Sequence, residues 1–288
     1  MKNFLFVIFG YLIISCSGST TGNPTDEPQN LAAKDEMNIS YGSNTQQKYD
    51  IFLPAGRSAD KTKVLIYIHG GGWIAGDKSE IYGGLPKMKQ TYFPKYAIVT
   101  MNYVLAQPGT SNYALPNHIN DIQHVINQIK AKSQEYQVKP EFVLCGSSAG
   151  AHLSMFYAYT KNNPEVKAVV NMVGPSDFND SAFSTNPLAG YFSGFVNPAS
   201  VPSGMNMLTY ASPLTWITNA SVPTLGFYGT GDTTVPLSQK NLLEAKLTQE
   251  NVPHEIYTYN GDHVGWMSEP ITSWMLDKTK KFLEKYNP

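Results

Sequence analysis

Residues 142–159 read FVLCGSSAGAHLSMFYAY. The apolar run Phe142–Cys145 is followed by a glycine–serine turn and then by a stretch with helical character. A short apolar run bounded by glycine indicates a buried strand. A G-x-S-x-G pattern between strand and helix, here Gly146–Gly150, is typical of a tight turn that exposes the hydroxyl of its central serine. We therefore predict that Ser148 lies between the carboxyl end of a strand and the start of a helix.

The same alternation of strand and helix extends along the chain. Strands are expected at Lys48–Leu53, Lys63–His69, Ala97–Tyr103, Phe142–Gly146, Lys167–Val173, Thr224–Tyr228 and Glu255–Tyr259. The stretches between them are amphipathic, as at Ile122, Val125, Ile126 and Ile129, which follow a helical period. Apolar strands that alternate with helices predict an α/β fold, a mostly parallel central sheet with helices on both faces. Ligand sites of such sheets lie beyond the carboxyl ends of the strands.

Composition sets further limits. The chain has 288 residues, 21 Lys+Arg against 22 Asp+Glu, a formal net charge of −1 and 15% charged residues. This balance argues against disorder and against a nucleic-acid partner. A chain of this length can bury a large core without disulfides or metal ions. We find no repeat and no second linker, and we predict one domain over residues 40–288.

The N-terminal region differs from the rest in composition. Lys2 precedes the apolar run Phe4–Ile14, which is too short to cross a bilayer and is typical of a secretory signal peptide. The run ends close to Cys16 and resembles a bacterial lipoprotein signal. We predict a signal peptide at 1–15, a lipidated Cys16, a flexible tether at 16–39, and an exported protein held at a membrane. The alternative is cleavage beyond Cys16, which would give a secreted protein.

Three further strand ends carry chemically useful residues. His69–Trp73 (HGGGW) follows the strand that starts at Lys63, and three successive glycines let backbone N–H groups approach a ligand closely. Asp232 and His263 each follow a predicted strand through a short glycine-containing turn. An imidazole positioned by a carboxylate can activate a serine hydroxyl as a nucleophile. Asp262 is an alternative carboxylate, but side chains adjacent in sequence generally point apart.

These blocks resemble a known family. HGGGW, GSSAG, GTGDTTVP and GDHVGW, in this order, are similar to the α/β-hydrolase carboxylesterases, near the hormone-sensitive-lipase-like branch and the small bacterial carbohydrate esterases. The resemblance implies an α/β-hydrolase fold and a cofactor-free serine hydrolase. It assigns Ser148 as nucleophile, Asp232 as acid and His263 as base. The expected oxyanion-hole donors are the backbone N–H groups of Gly71, Gly72 and Ala149.

The expected activity is hydrolysis of short-chain or carbohydrate-linked esters, of the acetyl or feruloyl type, with a small-molecule or oligosaccharide ester as substrate. An amide hydrolase of the same fold and a catalytically inactive surface binding protein are the alternatives. We expect no metal, because the remaining histidines lack ligand spacing. Trp73 and Trp266 are expected to contact substrate, and the aromatic-rich insertion 176–222 to form a small lid, unless it merely covers the sheet edge. The sequence leaves the oligomeric state open.

Overall fold

The computed structural model describes residues 31–183 and 192–287, and these form an eight-stranded sheet flanked by helices. The strands are β1 (Lys34–Ser40), β2 (Lys48–Leu53), β3 (Val64–Ile68), β4 (Ala97–Met101), β5 (Phe142–Ser147), β6 (Val166–Met172), β7 (Thr224–Gly229) and β8 (His254–Tyr259). Their order is β1-β2-β4-β3-β5-β6-β7-β8. The β1–β2 and β2–β4 pairs are antiparallel and the other pairs are parallel. The predicted α/β-hydrolase fold is confirmed.

Helices cover both faces of this sheet. They are α1 (Leu85–Lys87), α2 (Asn117–Ala131), α3 (Ser133–Tyr136), α4 (Ala149–Lys161), α5 (Met207–Ala211), α6 (Ser238–Gln249) and α7 (Ile271–Tyr286). Strand side chains alternate between two apolar clusters, so that Ile66 of β3 packs on one face and Leu65 on the other. Residues of α2, α4 and α6 belong to the first cluster, and residues of α1 and α7 to the second. We call the side of the sheet with the first cluster the α4 face and the side with the second cluster the α7 face.

The topology places one strand at the centre of the functional region. Strand β3 pairs with β4 on one side and with β5 on the other, although β4 follows it in sequence. The strand order therefore reverses at β3, and ligands of open α/β sheets bind in the crevice at such a point. The loop that begins at His69 and the turn around Ser148 both border this crevice, because they follow β3 and β5.

The structure corrects one prediction about the N-terminal region and does not test the others. The predicted tether extends too far, because Lys34–Ser40 forms β1 and pairs with β2 in an antiparallel register. The predicted signal peptide, Cys16 and the tether as far as residue 30 lie outside the described residues and stay predictions. Among the helices that the structure describes, none is long and apolar enough to cross a membrane.

Candidate active site

The turn after β5 holds Ser148 in an uncommon backbone conformation. Its φ and ψ are 48° and −116°, and the N–H of Ser148 donates to the carbonyl of Met172 at the end of β6 (2.8 Å). A non-glycine residue in this region stores backbone strain of roughly 1–3 kcal/mol. The turn also passes close to β3: a Cβ on Gly150 would lie 2.0 Å from the Ile68 carbonyl oxygen. Glycine is therefore required at position 150, and α4 begins directly after the serine.

The structure brings Ser148, His263 and Asp232 together. His263 Nε2 lies 2.9 Å from Ser148 Oγ, and His263 Nδ1 lies 2.7 Å from Asp232 Oδ2. A carboxylate can only accept hydrogen bonds, so His263 Nδ1 carries a proton and donates a hydrogen bond to Asp232. In the neutral ring, Nε2 is then free of a proton and accepts a hydrogen bond from the serine hydroxyl. The arrangement can therefore take a proton from Ser148 as the serine attacks a substrate.

Asp232 is held in place by its own turn. Its side chain is fully buried, and its Oδ1 accepts hydrogen bonds from the N–H groups of Thr234 (2.8 Å) and Val235 (2.9 Å). The other oxygen is thereby directed at His263. Asp262, the alternative carboxylate, is exposed, and its Oδ1 accepts from the N–H of Val264 instead (3.1 Å). The structure thus pairs the histidine with Asp232.

The predicted oxyanion-hole residues lie beside the serine. Gly71 and Gly72 line a cavity of about 270 Å³ together with Ser148 and His263, and Ala149 follows the serine directly. Both glycines have positive φ (101° and 59°), and a Cβ on Gly71 would lie 2.2 Å from the carbonyl oxygen of Ala75. Within residues 31–183 and 192–287, none of the three N–H groups donates a hydrogen bond. They are therefore available to a ligand oxygen.

One predicted substrate contact is wrong. The side chain of Trp73 is 2% exposed and does not line the catalytic cavity. Its Nε1 donates to Nδ1 of the buried His152 (3.2 Å), and its ring packs on Phe192 with the centroids 4.3 Å apart. His152 in turn donates from Nε2 to the carbonyl of Ala211 (2.8 Å). Burial lowers the pKa of His152 to about 4, so this side chain is neutral and structural.

The insertion at 176–222 packs mainly as core where it is described. Phe178, Phe183, Phe192 and Phe195 are buried and belong to the cluster on the α4 face. No residue from the described parts of the insertion, 176–183 and 192–222, lines the catalytic cavity. For these parts the packing favours the alternative, in which the insertion covers the sheet, and the lid stays a prediction. Residues 184–191, including Tyr191, lie outside the described residues.

Trp266 lies where the sequence predicted it. It lines the catalytic cavity and is 8% exposed, in the short helical turn Gly265–Met267 that follows His263. Met267 lines the same cavity and is 48% exposed.

In the described ranges, no cluster of three or more His, Cys, Asp or Glu side chains could hold a metal ion.

Glu80 is a site residue that the sequence did not reveal. Its Oε2 accepts hydrogen bonds from the Tyr67 hydroxyl (2.5 Å), the Gly70 N–H (3.1 Å) and the Ser147 hydroxyl (2.8 Å). One carboxyl oxygen thus joins β3, the glycine loop and the residue before the nucleophile. Glu80 also lines the catalytic cavity. It positions the two loops that must act together on a substrate.

The segment that carries Glu80 is itself anchored. Asp77 caps the short helical turn Lys78–Ile81 by accepting from the N–H of Ser79 (2.9 Å). Asn102, which follows β4, donates to Asp77 (2.8 Å). Lys78 Nζ lies 2.7 Å from Oδ2 of Asp50, and both side chains are buried. These contacts fix the segment against β2 and β4, so that Glu80 has a defined place below the glycine loop.

The fold and site together define an α/β hydrolase with a serine–histidine–aspartate arrangement. The BD-FAE family model matches residues 49–247. The chain belongs to this family.

Individual relatives and structures are similar over large parts of the chain. The probable carboxylic ester hydrolase LipM of Mycobacterium tuberculosis is 29% identical over 236 residues, which is 76% of this chain and 53% of the relative. The kynurenine formamidase of Danio rerio is 30% identical over 119 residues, 41% of this chain and 36% of the relative. The chain spans about half the length of the first curated relatives it matches. A truncated carbohydrate esterase from gut microbiota has a TM-score of 0.69 at 20% identity and covers 90% of this chain and 99% of its own.

Proposed function

We propose that the protein is a serine carboxylesterase that hydrolyses short-chain or carbohydrate-linked esters, of the acetyl or feruloyl type, through an acyl-enzyme. The observation that carries the proposal is the contact of Ser148 Oγ with His263 Nε2 (2.9 Å), next to the N–H groups of Gly71, Gly72 and Ala149, which donate to no acceptor among the described residues. Family membership and the similarity to the mycobacterial ester hydrolase LipM support the reaction class. The structural similarity to a carbohydrate esterase is compatible with a sugar-linked ester.

The first half of the reaction forms the acyl-enzyme. Ser148 Oγ attacks the carbonyl carbon of the ester while its proton moves to Nε2 of His263. The carbonyl oxygen gains negative charge, and the N–H groups of Gly71, Gly72 and Ala149 stabilise it, each contributing roughly 3–4 kcal/mol to barrier lowering in comparable sites. The carbon–oxygen bond to the alcohol then breaks, and His263 gives its proton to the departing oxygen.

The second half releases the acid. A water molecule takes the place of the alcohol beside His263, which accepts one proton from it while the oxygen attacks the acyl carbon. The bond to Ser148 Oγ breaks, and the serine regains its proton from His263. Asp232 keeps the proton on Nδ1 and holds the orientation of the ring, because its Oδ2 accepts a hydrogen bond from Nδ1–H.

A single substitution tests the assignment. Ser148→Ala removes the nucleophile, and we expect the kcat for p-nitrophenyl acetate to fall about 10⁴-fold or more. Ser154→Ala is the matched control, because this buried serine of α4 donates only to the carbonyl of Gly150 (2.8 Å). Both variants should unfold at a similar denaturant concentration to the wild type. Retained turnover in folded Ser148→Ala would refute the proposal, and so would a wild-type protein that a fluorophosphonate probe fails to label, which would favour the inactive binding protein.

Amide hydrolysis is the second candidate, and the partial similarity to kynurenine formamidases favours it. The same catalytic groups can cleave an amide, but His263 must then protonate a poorer leaving group. We expect p-nitrophenyl acetate to be hydrolysed far faster than p-nitroacetanilide, which carries the same acyl group. The opposite preference would identify an amide hydrolase.

A further inference from the structure

A second cavity of about 430 Å³ lies on the α7 face. Its floor is made by strand side chains that include Leu65 of β3, Cys145 of β5 and Val170 of β6. Its walls include Met88, which follows α1, and Met275 of α7. Its volume is in the range of pockets that hold small ligands. The proposed reaction at Ser148 and His263 makes no use of this space.

The two cavities adjoin. Glu80, Trp266 and Met267 line both of them. Lys87 and Glu269 also line the second cavity and form an exposed ion pair with Nζ and Oε1 2.7 Å apart. A group attached to the carbonyl carbon at Ser148 therefore has an apolar space directly next to it.

The lining favours an aliphatic ligand over a sugar. Most lining side chains are apolar, and four of them are methionines (Met88, Met172, Met267 and Met275), whose unbranched side chains adapt to ligands of different length. The hydroxyl groups of the lining are already used. The hydroxyls of Thr272 and Thr279 donate to carbonyls of their own segment (2.7 and 2.8 Å), and that of Tyr67 donates to Glu80. A buried sugar would lose its hydrogen bonds to water and find few replacements here.

The order of events in the reaction assigns the acyl side to this space. The alcohol leaves first, while the acyl group is still bonded to Ser148, and water must then reach the position next to His263. That position needs an open route, which the catalytic cavity provides near Val264, a lining residue that is 57% exposed. The adjoining apolar cavity suits the group that stays attached.

We propose that the cavity on the α7 face binds an unbranched aliphatic acyl chain longer than acetyl, while the alcohol part of the ester faces the solvent. This assignment rests on the proposed esterase function. Each methylene that enters the cavity should raise kcat/KM by up to about fourfold. The preference of the enzyme for one acyl-chain length over another would then be set by side chains of α7 and of the cavity floor. The enzyme would accept esters of many different alcohols.

The test is a series of p-nitrophenyl esters from acetate to octanoate, measured on two variants that fill the cavity. Thr279→Phe fills it from α7, and Thr279→Val is the matched control, because it removes the same hydroxyl without adding volume. Val170→Phe fills the cavity from the floor, so the test does not depend on one variant folding. We expect kcat/KM for hexanoate and octanoate to fall tenfold or more in both filled variants, and kcat/KM for acetate to stay within about twofold of the wild type.

Three results would overturn the assignment. One is an unchanged chain-length profile in folded, filled variants. Another is a loss that follows the alcohol instead, seen as a selective effect on hexyl acetate relative to ethyl acetate. The third is a wild-type profile that declines steadily from acetate to octanoate. A failure of the esterase function itself would look different, because no ester of the series, acetate included, would be turned over by the wild type.

Discussion

Trp73 and Glu80 both follow β3, yet they lie on opposite sides of the central sheet. The packing around Trp73 is dense, whereas Glu80 borders a cavity. Trp73 is enclosed on the α4 face, where its ring contacts Phe192 and its Nε1 donates to His152. Glu80 borders a cavity of about 430 Å³ on the α7 face. Next to the active site, the α4 face is therefore filled by side chains and the α7 face contains a cavity. We call them the filled side and the hollow side.

Trp266 lines the catalytic cavity and Trp73 does not, so an aromatic residue next to a catalytic motif need not face the site. On the α4 face, Trp73, Phe178 and Phe192 are buried and their rings pack on one another. The polar atoms there are also used, because Trp73 donates to His152 and His152 donates to the backbone carbonyl of Ala211. The α7 face is lined by methionines and aliphatic residues and retains space. We therefore expect the filled side to contribute more to stability and the hollow side more to substrate selectivity.

The largest expected effect comes from breaking the filled side. Trp73→Ala should lower the free energy of unfolding by about 3–5 kcal/mol, because it leaves a large void and removes the hydrogen-bond donor to His152. Denaturant-induced unfolding followed by circular dichroism measures this change. Trp274→Ala is the comparison on the α7 face. This half-buried residue packs on Phe227 at 5.6 Å, and its loss should cost clearly less.

If the two tryptophan variants lost similar stability, the two faces would not differ in packing as the structure indicates. The readout is independent of catalysis, so the result stands whichever ester proves to be the substrate.

The next largest effect is expected on catalysis, from a substitution of Glu80, which lies between the filled side and the hollow side. Oε2 of Glu80 accepts from Tyr67, Gly70 and Ser147, and Glu80→Gln replaces the charged carboxylate with a neutral amide that has a single, weaker acceptor oxygen and an NH₂ group that cannot accept. The glycine loop and the nucleophile turn would be held together less firmly, and we expect kcat for p-nitrophenyl acetate to fall roughly 10- to 100-fold. KM should change less than threefold, because Glu80 acts through other residues. Steady-state kinetics separates the two constants.

Tyr67→Phe is the graded control, because it removes one of the three donors and leaves the carboxyl group in place. Its kcat should lie between those of the wild type and Glu80→Gln. A Glu80→Gln variant with wild-type kcat and a raised KM would instead place Glu80 in direct contact with substrate.

Most strands of the sheet could be predicted because they are buried and largely apolar, as β3, β4 and β5 are. The seven predicted strands correspond to β2–β8, with ends that differ by up to two residues. β1 was missed because Lys34–Ser40 is a mostly exposed edge strand of mainly polar residues. Its pairing with β2, rather than its own pattern, makes it a strand.

The site could be predicted where a functional residue directly follows a strand in a short motif. This applies to Ser148, Asp232 and His263, which the structure brings into contact. Glu80 could not be predicted, because its role depends on three donors from separate parts of the chain and no local pattern records them. The prediction for Trp73 was wrong for the related reason that its partner, His152, lies 79 residues further along the chain.

The smallest effect distinguishes the two faces by their response to acid. The α4 face contains His152, whose pKa burial lowers to about 4, and His118, whose pKa burial lowers to about 3. In the unfolded chain a histidine has a pKa of about 6.5, so below that pH the unfolded state binds protons that the folded state does not. The free energy of unfolding should therefore fall as the pH decreases from about 6.5 towards 4, by at most about 1.4 kcal/mol per pH unit for each of these histidines.

A variant isolates the contribution of one histidine. His152→Gln is expected to be less stable at every pH, because it loses a ring from a packed cluster, but the informative quantity is the slope. Between pH 6 and pH 5 its free energy of unfolding should fall by about 1 kcal/mol less than that of the wild type, since one proton-binding group has been removed from the unfolded state. Urea titrations at the two pH values measure both slopes. Parallel slopes would mean that His152 takes up a proton in the folded protein as readily as in the unfolded chain, and the filled face would then be accessible to water.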